Sequence, residues 1–220
     1  MELGVGDGRI AVEAARAGRP VIGVDLSPAM LRLCHEHAER AGVRDRLTLI
    51  EGDFRSFTLP EPAALIALPY HSLGHLQAID AKRDALRHIF TQLRPGGRFV
   101  FDDFVMTPAR VAFMREVQLR SERELPNGRR WQLWVTSLVD ETAQTIQTRT
   151  WEDEIAADGS LASRQDRTLS LSWLQPSQAR ALLEETGFTV EACYGAFDRT
   201  PFTPSQAQEQ IWIARKDAHA

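Results

Sequence analysis

Short apolar runs alternate with stretches of helical periodicity along the first hundred residues. The predicted strands are 21–25, 47–50, 63–68 and 99–101, and the predicted helices are 9–17, 28–41 and 80–93. Ser27-Pro28 supports the second helix as a capping residue followed by proline in the first turn. This alternation is typical of a parallel sheet covered by helices.

The pattern changes after Phe104, where apolar residues recur mostly at alternate positions. Asp158-Gly159 is a turn signal between two such stretches. We therefore expect about three antiparallel strands, inserted at 129–173. Helical spacing returns at 176–187, and two closing strands are expected at 188–194 and 210–214. Together these elements predict a single domain over residues 1–220.

Composition narrows the class of protein. The 220 residues are 43% hydrophobic and 25% charged, which suits one soluble globular domain. A formal net charge of −4 disfavours nucleic acid as a partner. The sequence has neither an apolar run of the roughly 20 residues that span a bilayer nor a signal-peptide pattern, so we expect a cytoplasmic protein without a membrane partner.

Three glycines at alternate positions, Gly4, Gly6 and Gly8, follow a short apolar stretch. Such glycines let the backbone leave a strand sharply and approach a ligand closely, which indicates a nucleotide cofactor. A dinucleotide-binding loop needs its third glycine at position 9, where Arg9 stands. The spacing therefore argues against an NAD enzyme, although Asp25 would suit either cofactor.

Four motifs in order carry a family resemblance. They are Glu2-Leu3-Gly4-Val5-Gly6-Asp7-Gly8-Arg9, Val24-Asp25-Leu26-Ser27-Pro28-Ala29-Met30-Leu31, Glu51-Gly52-Asp53-Phe54 and Leu93-Arg94-Pro95-Gly96-Gly97-Arg98. The sequence resembles the small-molecule type of class I S-adenosylmethionine-dependent methyltransferases, closely over residues 1–105. The resemblance implies an α/β, Rossmann-like, seven-stranded, mostly parallel sheet with helices on both faces and an inserted antiparallel β lid.

The resemblance also implies S-adenosylmethionine as cofactor and a set of residues to bind it. The expected residues are Glu2, Gly4, Gly6, Gly8, Asp25, Leu26, Met30, Asp53, Phe54 and Leu68. Asp25 ends the second strand, where such sheets bind ligands, and would accept bonds from both ribose hydroxyls. Glu2 would face the methionine ammonium, and Asp53 the adenine amino group. Phe54 would lie beside the base, with a place in the core as the alternative.

The sequence indicates the catalytic residues less clearly than the cofactor residues. Transfer of an activated methyl group requires little more than that donor and acceptor are held in position. If the acceptor must lose a proton, His71, which follows the fourth strand, is the candidate general base, with a surface or helix-start histidine as the alternative. The candidate substrate residues are Tyr70, His75, Asp103, Tyr194 and Arg199. His75 would equally serve packing, and Asp103 would equally cap its strand end.

No metal is expected, because His71 and His75 lack a clear third ligand and Asp102 and Asp103 need not converge on them. We expect methyl transfer to an oxygen or nitrogen of a small organic molecule, with a possible homodimer. The alternatives are a cofactor-binding protein without catalysis and other chemistry of the sulfonium. In the resembling family Met1 would be an internal strand position, so we also expect an upstream segment to be missing and cofactor binding to be weak without it.

Overall fold

The computed structural model describes residues 1–218. Its helices are α1 Arg9–Arg16, α2 Pro28–Arg40, α3 Ile79–Gln92, α4 Pro108–Arg115 and α5 Pro176–Glu185. Its strands are β1 Glu2–Leu3, β2 Val21–Asp25, β3 Leu47–Glu51, β4 Ala63–Leu68, β5 Leu93–Phe104, β6 Gln118–Glu124, β7 Arg130–Asp140, β8 Thr145–Ile155, β9 Leu161–Ser172, β10 Thr189–Tyr194 and β11 Glu209–Arg215. They form two compact units: a core unit, made of residues 1–105 and the chain from 174 onward, and an inserted unit, 106–173.

Seven strands of the core unit form one sheet in the order β10-β11-β5-β4-β1-β2-β3. All of them run parallel except β11, which is antiparallel to both of its neighbours. This confirms the expected seven-stranded, mostly parallel sheet. The strand order reverses between β1 and β4, and ligands of such sheets bind outside the carboxyl ends of the strands at that point.

Helices pack on both faces of the core sheet, as expected. Val21 on β2 belongs to a buried cluster with α1 and α2, whereas Val24 on the same strand belongs to a cluster with α3 and α5. This division follows from the alternation of side chains along a strand.

Strand β5 is longer than the sequence predicted, because it begins directly after α3. The Arg94-Pro95-Gly96-Gly97 segment lies between the helix expected at 80–93 and the strand expected at 99–101, and its proline and glycines favour a turn. Its backbone is instead bonded to the residue that follows β11, since Gly96 N donates to Lys216 O and Lys216 N donates to Gly97 O. A long-range pairing has overridden the local turn signal.

The inserted unit contains α4 and a four-stranded antiparallel sheet in the order β6-β7-β8-β9. Three of these strands match the expected ones, but the unit begins at 106 rather than at 129. Strand β6 was missed because it is largely polar and exposed, so it has no alternating apolar pattern. No helix within residues 1–218 has the length and apolar character needed to cross a bilayer.

Candidate active site

A cavity of about 300 Å³ lies at the carboxyl ends of the core strands, and we call it the cofactor cavity. Its lining comes from the carboxyl end of β2 and from the segments that follow β1, β2, β3 and β4: Gly4, Val24, Asp25, Leu26, Gly52, Phe54, Ser72 and His75. The structure therefore gathers four of the expected cofactor residues, Gly4, Asp25, Leu26 and Phe54, around one space. His75, expected to contact substrate or to pack, lines the same space.

Asp25 organises the loop that borders this cavity. Gly6 N donates to its Oδ2 at 2.8 Å, and Ser27 N donates to its Oδ1 at 2.9 Å. A carboxylate has about four acceptor positions, so each oxygen retains capacity for one more hydrogen bond. Asp25 both holds the glycine loop and presents acceptor capacity at the cavity wall.

Gly4 and Gly8 of the loop have different tasks. Gly4, at φ +65°, lines the cavity, and a Cβ there would lie 3.3 Å from Ser72 Oγ. Gly8, at φ +87°, faces α2 instead, and a Cβ there would lie 2.6 Å from Cys34 Sγ. Gly8 is thus required for helix packing, and its expected role in binding cofactor stays a prediction.

Glu2 is a buried carboxylate with an unused bonding position. Its side chain is 4% exposed, and Oε2 has no hydrogen-bond partner in the described part of the chain. Burial raises the pKa of Glu2 to about 7, an effect that nearby Asp7 adds to. A cation beside Oε2 would compensate for the lost hydration of the charged form.

The apolar residues that were expected to bind cofactor differ in where their side chains lie. Leu26 is 62% exposed and lines the cavity, whereas Leu68 is fully buried in the main hydrophobic cluster. Leu68 does not belong to the lining of the cofactor cavity, and its contact with cofactor stays a prediction. Phe54 lines the cavity and also packs against the core, and its place beside the base stays a prediction. Met30 is exposed on α2, and its contact with cofactor stays a prediction.

Asp53 is engaged by a neighbour. Arg55 Nε donates to both of its carboxylate oxygens, at 3.0 and 2.9 Å. Hydrogen bonds from Arg55 lower the pKa of Asp53. The expected contact with an adenine amino group stays a prediction, in which Arg55 would have to share the carboxylate.

A second group of side chains lies beside the cofactor cavity, and we call it the histidine cluster: His71, Asp102 and Glu209. His71 Nε2 is 2.8 Å from Glu209 Oε2 and 3.4 Å from Asp102 Oδ2. The imidazole stacks on Phe104, with ring centroids 3.7 Å apart. The ring is therefore fixed between two carboxylates and an aromatic face.

The backbone around His71 is unusual and explains why the ring is held there. Tyr70 and His71 have φ values of 59° and 55°, in the left-handed region that most residues avoid. Asp102 supports both residues, because its carboxylate accepts bonds from Tyr70 N at 2.9 Å and His71 N at 3.1 Å. Strained backbone of this kind concentrates at functional sites.

A buried lysine, Lys82, is hydrogen-bonded to the turn that follows His71. Lys82 is 1% exposed, and its Nζ donates to Leu73 O at 2.7 Å. Burial lowers the pKa of Lys82 to about 8, and the nearby Asp103 opposes that shift. Lys82 thus anchors the turn Ser72–His75, which contributes two residues to the cofactor cavity.

Asp103 has a structural position. It has no exposed surface, and its carboxylate accepts bonds from Phe104 N at 2.7 Å and Leu174 N at 2.9 Å. Burial raises its pKa to about 6. This favours the alternative that Asp103 caps the end of its strand over the expected contact with substrate.

A second cavity, of about 440 Å³, lies in the connection between β10 and β11. Its lining is Gly195, Ala196, Phe197, Thr200, Pro201, Thr203, Gln206, Ala207, Gln208 and Glu209. The substrate candidates Tyr194 and Arg199 adjoin this lining without belonging to it, and Tyr70 is exposed next to His71. Their contacts with an acceptor stay predictions.

Glu209 is the functional candidate that sequence reasoning missed. It begins the antiparallel strand β11, and the first residue of such a strand lies at the same sheet edge as the last residues of the parallel strands. Glu209 is accordingly paired with Phe104 at the end of β5. The antiparallel direction of β11 was therefore the signal that could have placed Glu209 at this edge of the sheet.

Asp102 lies beside His71, a convergence that the sequence left open, and the absence of a metal stays a prediction. The ligand atoms of His71, Asp102 and Glu209 all lie within 4.8 Å of one another. Such a set suits a divalent cation, and it equally suits the hydrogen bond seen between Nε2 and Glu209.

Known proteins that are similar to this chain include several methyltransferases. Residues 1–97 match the family described as "Methyltransferase domain". Over 206 residues the chain is 25% identical to the 27-O-demethylrifamycin SV methyltransferase of Amycolatopsis mediterranei, a match covering 93% of this chain and 72% of that protein. Other curated relatives are matched over 31 to 54% of their lengths.

Solved structures show the same fold. The CcbJ methyltransferase from Streptomyces caelestis superposes with a TM-score of 0.80 at 23% identity, covering 99% of this chain and 82% of that one. The amino pentose methyltransferase CalS10 from Micromonospora echinaspora, solved with S-adenosylmethionine bound, superposes with a TM-score of 0.72 at 19% identity, covering 98% and 81%.

Proposed function

Because the chain is a class I S-adenosylmethionine-dependent methyltransferase, we propose that it methylates an oxygen or nitrogen of a small organic molecule, with His71 as general base. The observation that carries this proposal is the histidine cluster, which adjoins the cofactor cavity through Ser72 and the second cavity through Glu209. The rifamycin and amino pentose enzymes, both similar to this chain, are named for small-molecule substrates.

Two features of the cofactor cavity suit S-adenosylmethionine, and a residue outside its lining adds a third. Glu2, on β1, offers for an ammonium group a buried carboxylate oxygen that has no hydrogen-bond partner in the described part of the chain. Asp25 retains acceptor capacity for vicinal hydroxyls, and Phe54 and Leu26 supply apolar surface for a base. When bound there, the cofactor supplies a methyl group whose bond to sulfur breaks, its electrons staying on sulfur, as the acceptor's lone pair bonds the carbon.

His71 accepts the acceptor's proton in this proposal. Two carboxylates at Nε2 favour the tautomer with its proton on Nε2, which leaves the basic lone pair on Nδ1. The same carboxylates stabilise the imidazolium that forms after proton transfer. A positioned base of this kind contributes roughly 10² to 10⁴-fold in rate.

The proposal is tested with labelled S-adenosylmethionine and a small-molecule metabolite extract, comparing wild type with His71→Asn. We expect labelled product from wild type, at least a hundredfold less from His71→Asn, and equal cofactor affinity by calorimetry. His35→Asn, on the exposed face of α2, is the matched control and should keep full activity.

Two outcomes would count against the proposal. Stoichiometric cofactor binding by wild type without transfer to any molecule would favour the cofactor-binding alternative. Equal rates of methyl transfer by wild type and His71→Asn would show that His71 is not a general base. The mechanism would then consist of positioning the donor and the acceptor.

A further inference from the structure

Two buried residues of opposite charge, Lys82 and Asp103, have no role in the chemistry proposed above. Lys82 is 1% exposed and Asp103 has no exposed surface, a degree of burial that charged side chains reach almost only when they are paired. The charge of Asp103 opposes the lowering of the Lys82 pKa by burial, and the charge of Lys82 opposes the raising of the Asp103 pKa. Each charge thus offsets the burial of the other, and we call the two residues the buried charge pair.

Lys82 acts on the segment that follows His71. Its Nζ donates to Leu73 O at 2.7 Å, and Leu73 lies in the turn that begins directly after His71. The backbone closes this turn onto His71, because Gly74 N donates to His71 O at 2.8 Å. The lysine therefore fixes the chain on the carbonyl side of His71.

Asp103 acts on the aromatic ring that faces His71. Its Oδ1 accepts a bond from Phe104 N at 2.7 Å, and the Phe104 ring stacks on the imidazole with the ring centroids 3.7 Å apart. Its Oδ2 accepts a bond from Leu174 N at 2.9 Å, which ties the end of β5 to the segment that leads into α5. Asp103 therefore fixes the surface against which the imidazole lies.

The backbone conformation at His71 explains why this support is required. Tyr70 and His71 both have φ values in the left-handed region, and such conformations persist only where the surrounding structure holds them. Asp102 holds the amide side of the segment, since it accepts bonds from both backbone N–H groups. The carbonyl side needs a separate support, and Lys82 supplies it.

From these contacts we propose that the buried charge pair positions the general base, Lys82 through the turn that follows His71 and Asp103 through Phe104. The proposal rests on the proposed function, because it takes His71 as the base. Neither member of the pair contacts cofactor or acceptor in this proposal, so both are positioning residues. Loss of the pair should displace the His71 ring and slow methyl transfer.

The NMR signals of His71 report its position without any need for turnover. Stacking on Phe104 should shift the His71 ring protons upfield in histidine-labelled protein, and the His71→Asn variant assigns these signals. The test variant combines Lys82→Met with Asp103→Asn, which removes both charges at similar side-chain volume. We expect this double variant to lose most of the upfield shift.

The double variant also separates positioning from stability. Lys82→Met alone leaves Asp103 without its opposite charge and should lower the Tm by roughly 6 °C or more. Removal of a whole buried pair is often neutral for stability, so the double variant should unfold within about 4 °C of wild type. Its single-turnover rate with labelled S-adenosylmethionine and the metabolite extract should still fall at least about tenfold, since a displacement of roughly 1 Å can cost about a hundredfold in rate.

Lys216→Met is the matched control. Lys216 Nζ also donates to backbone carbonyls, Phe90 O at 3.1 Å and Leu93 O at 3.0 Å, but at the opposite end of β5 from Phe104. This variant should keep the upfield shift and the transfer rate of wild type. If the double variant does not fold, Lys82→Met measured below its unfolding temperature provides the same two readouts.

A wild-type upfield shift in the folded double variant would overturn the proposal, because the pair would then serve stability alone. Loss of the shift with an unchanged transfer rate would show that the pair positions the imidazole but that His71 is not the base. In that case the proposed function loses its general base, while the positioning of His71 by the pair stands.

Discussion

The cofactor cavity and the histidine cluster lie side by side but are built in different ways. Backbone groups and short contiguous motifs shape the cavity, in which Gly4, Asp25 and Phe54 lie at or after the ends of three separate strands. In the cluster, three side chains from distant parts of the chain meet at one imidazole nitrogen. The first arrangement suits recognition of one fixed molecule, and the second suits movement of a proton.

This difference predicts a division of labour. Changes at the cavity should alter cofactor affinity and leave the chemical step intact once cofactor is saturating. Changes at the histidine cluster should slow the chemical step and leave cofactor affinity intact.

Asp25→Ala should give the largest loss of cofactor affinity, ten- to hundredfold by calorimetry. Charge-assisted hydrogen bonds contribute about 1.5 to 3 kcal/mol, and this carboxylate also holds Gly6 and Ser27. Asp84→Ala, an exposed change on α3, is the control. Wild-type affinity in Asp25→Ala would remove Asp25 from the cofactor site.

Gly8→Ala should destabilise the fold by about 2 kcal/mol more than Gly42→Ala in urea unfolding. Both positions have positive φ, but a Cβ meets Cys34 Sγ at 2.6 Å only at Gly8 and nothing within 4 Å at Gly42. Equal costs at the two positions would show that Gly8 does not serve packing.

Glu2→Gln should weaken cofactor binding about tenfold at pH 8, through loss of one charge-assisted bond. The difference should shrink below pH 7, where wild-type Glu2 becomes protonated, since its pKa is raised to about 7 by burial. Calorimetry across pH checks this, and a pH-independent difference would contradict it.

Without cofactor, the Glu2→Gln variant should be more stable than wild type at pH 8. The pKa of this carboxyl is about 4.5 in the unfolded chain and about 7 in the folded one, so wild type loses stability relative to Glu2→Gln as pH rises between those values. Thermal unfolding of the two proteins at pH 4 and pH 8 measures the effect. A stability difference that does not change with pH would show that Glu2 is not desolvated.

Arg55→Ala should have the smallest effect, a change of less than threefold in cofactor affinity, because Arg55 is an exposed partner of Asp53. Affinity should rise slightly if Asp53 binds the adenine amino group, since the carboxylate is then released. A larger loss would mean that Arg55 itself contacts the cofactor.

The two regions also differed in how far the sequence predicted them. The sheet, its covering helices and four of the cavity residues were predicted, because Gly4, Asp25, Leu26 and Phe54 stand in contiguous motifs after apolar strands. Glu209 was missed, since its approach to His71 spans 138 residues and depends on the direction of β11. Strand β6 was missed because it is largely polar and forms through its pairing with β7, and the start of β5 was missed because tertiary pairing overrode the local turn signal.

The most direct test of the division of labour is the single-turnover rate of methyl transfer at saturating labelled S-adenosylmethionine, measured for wild type, Asp25→Ala and His71→Asn. We predict a rate within threefold of wild type for Asp25→Ala, despite its weak binding, and a rate at least a hundredfold lower for His71→Asn, despite normal binding. A wild-type rate in His71→Asn, or equal losses in both variants, would contradict the account.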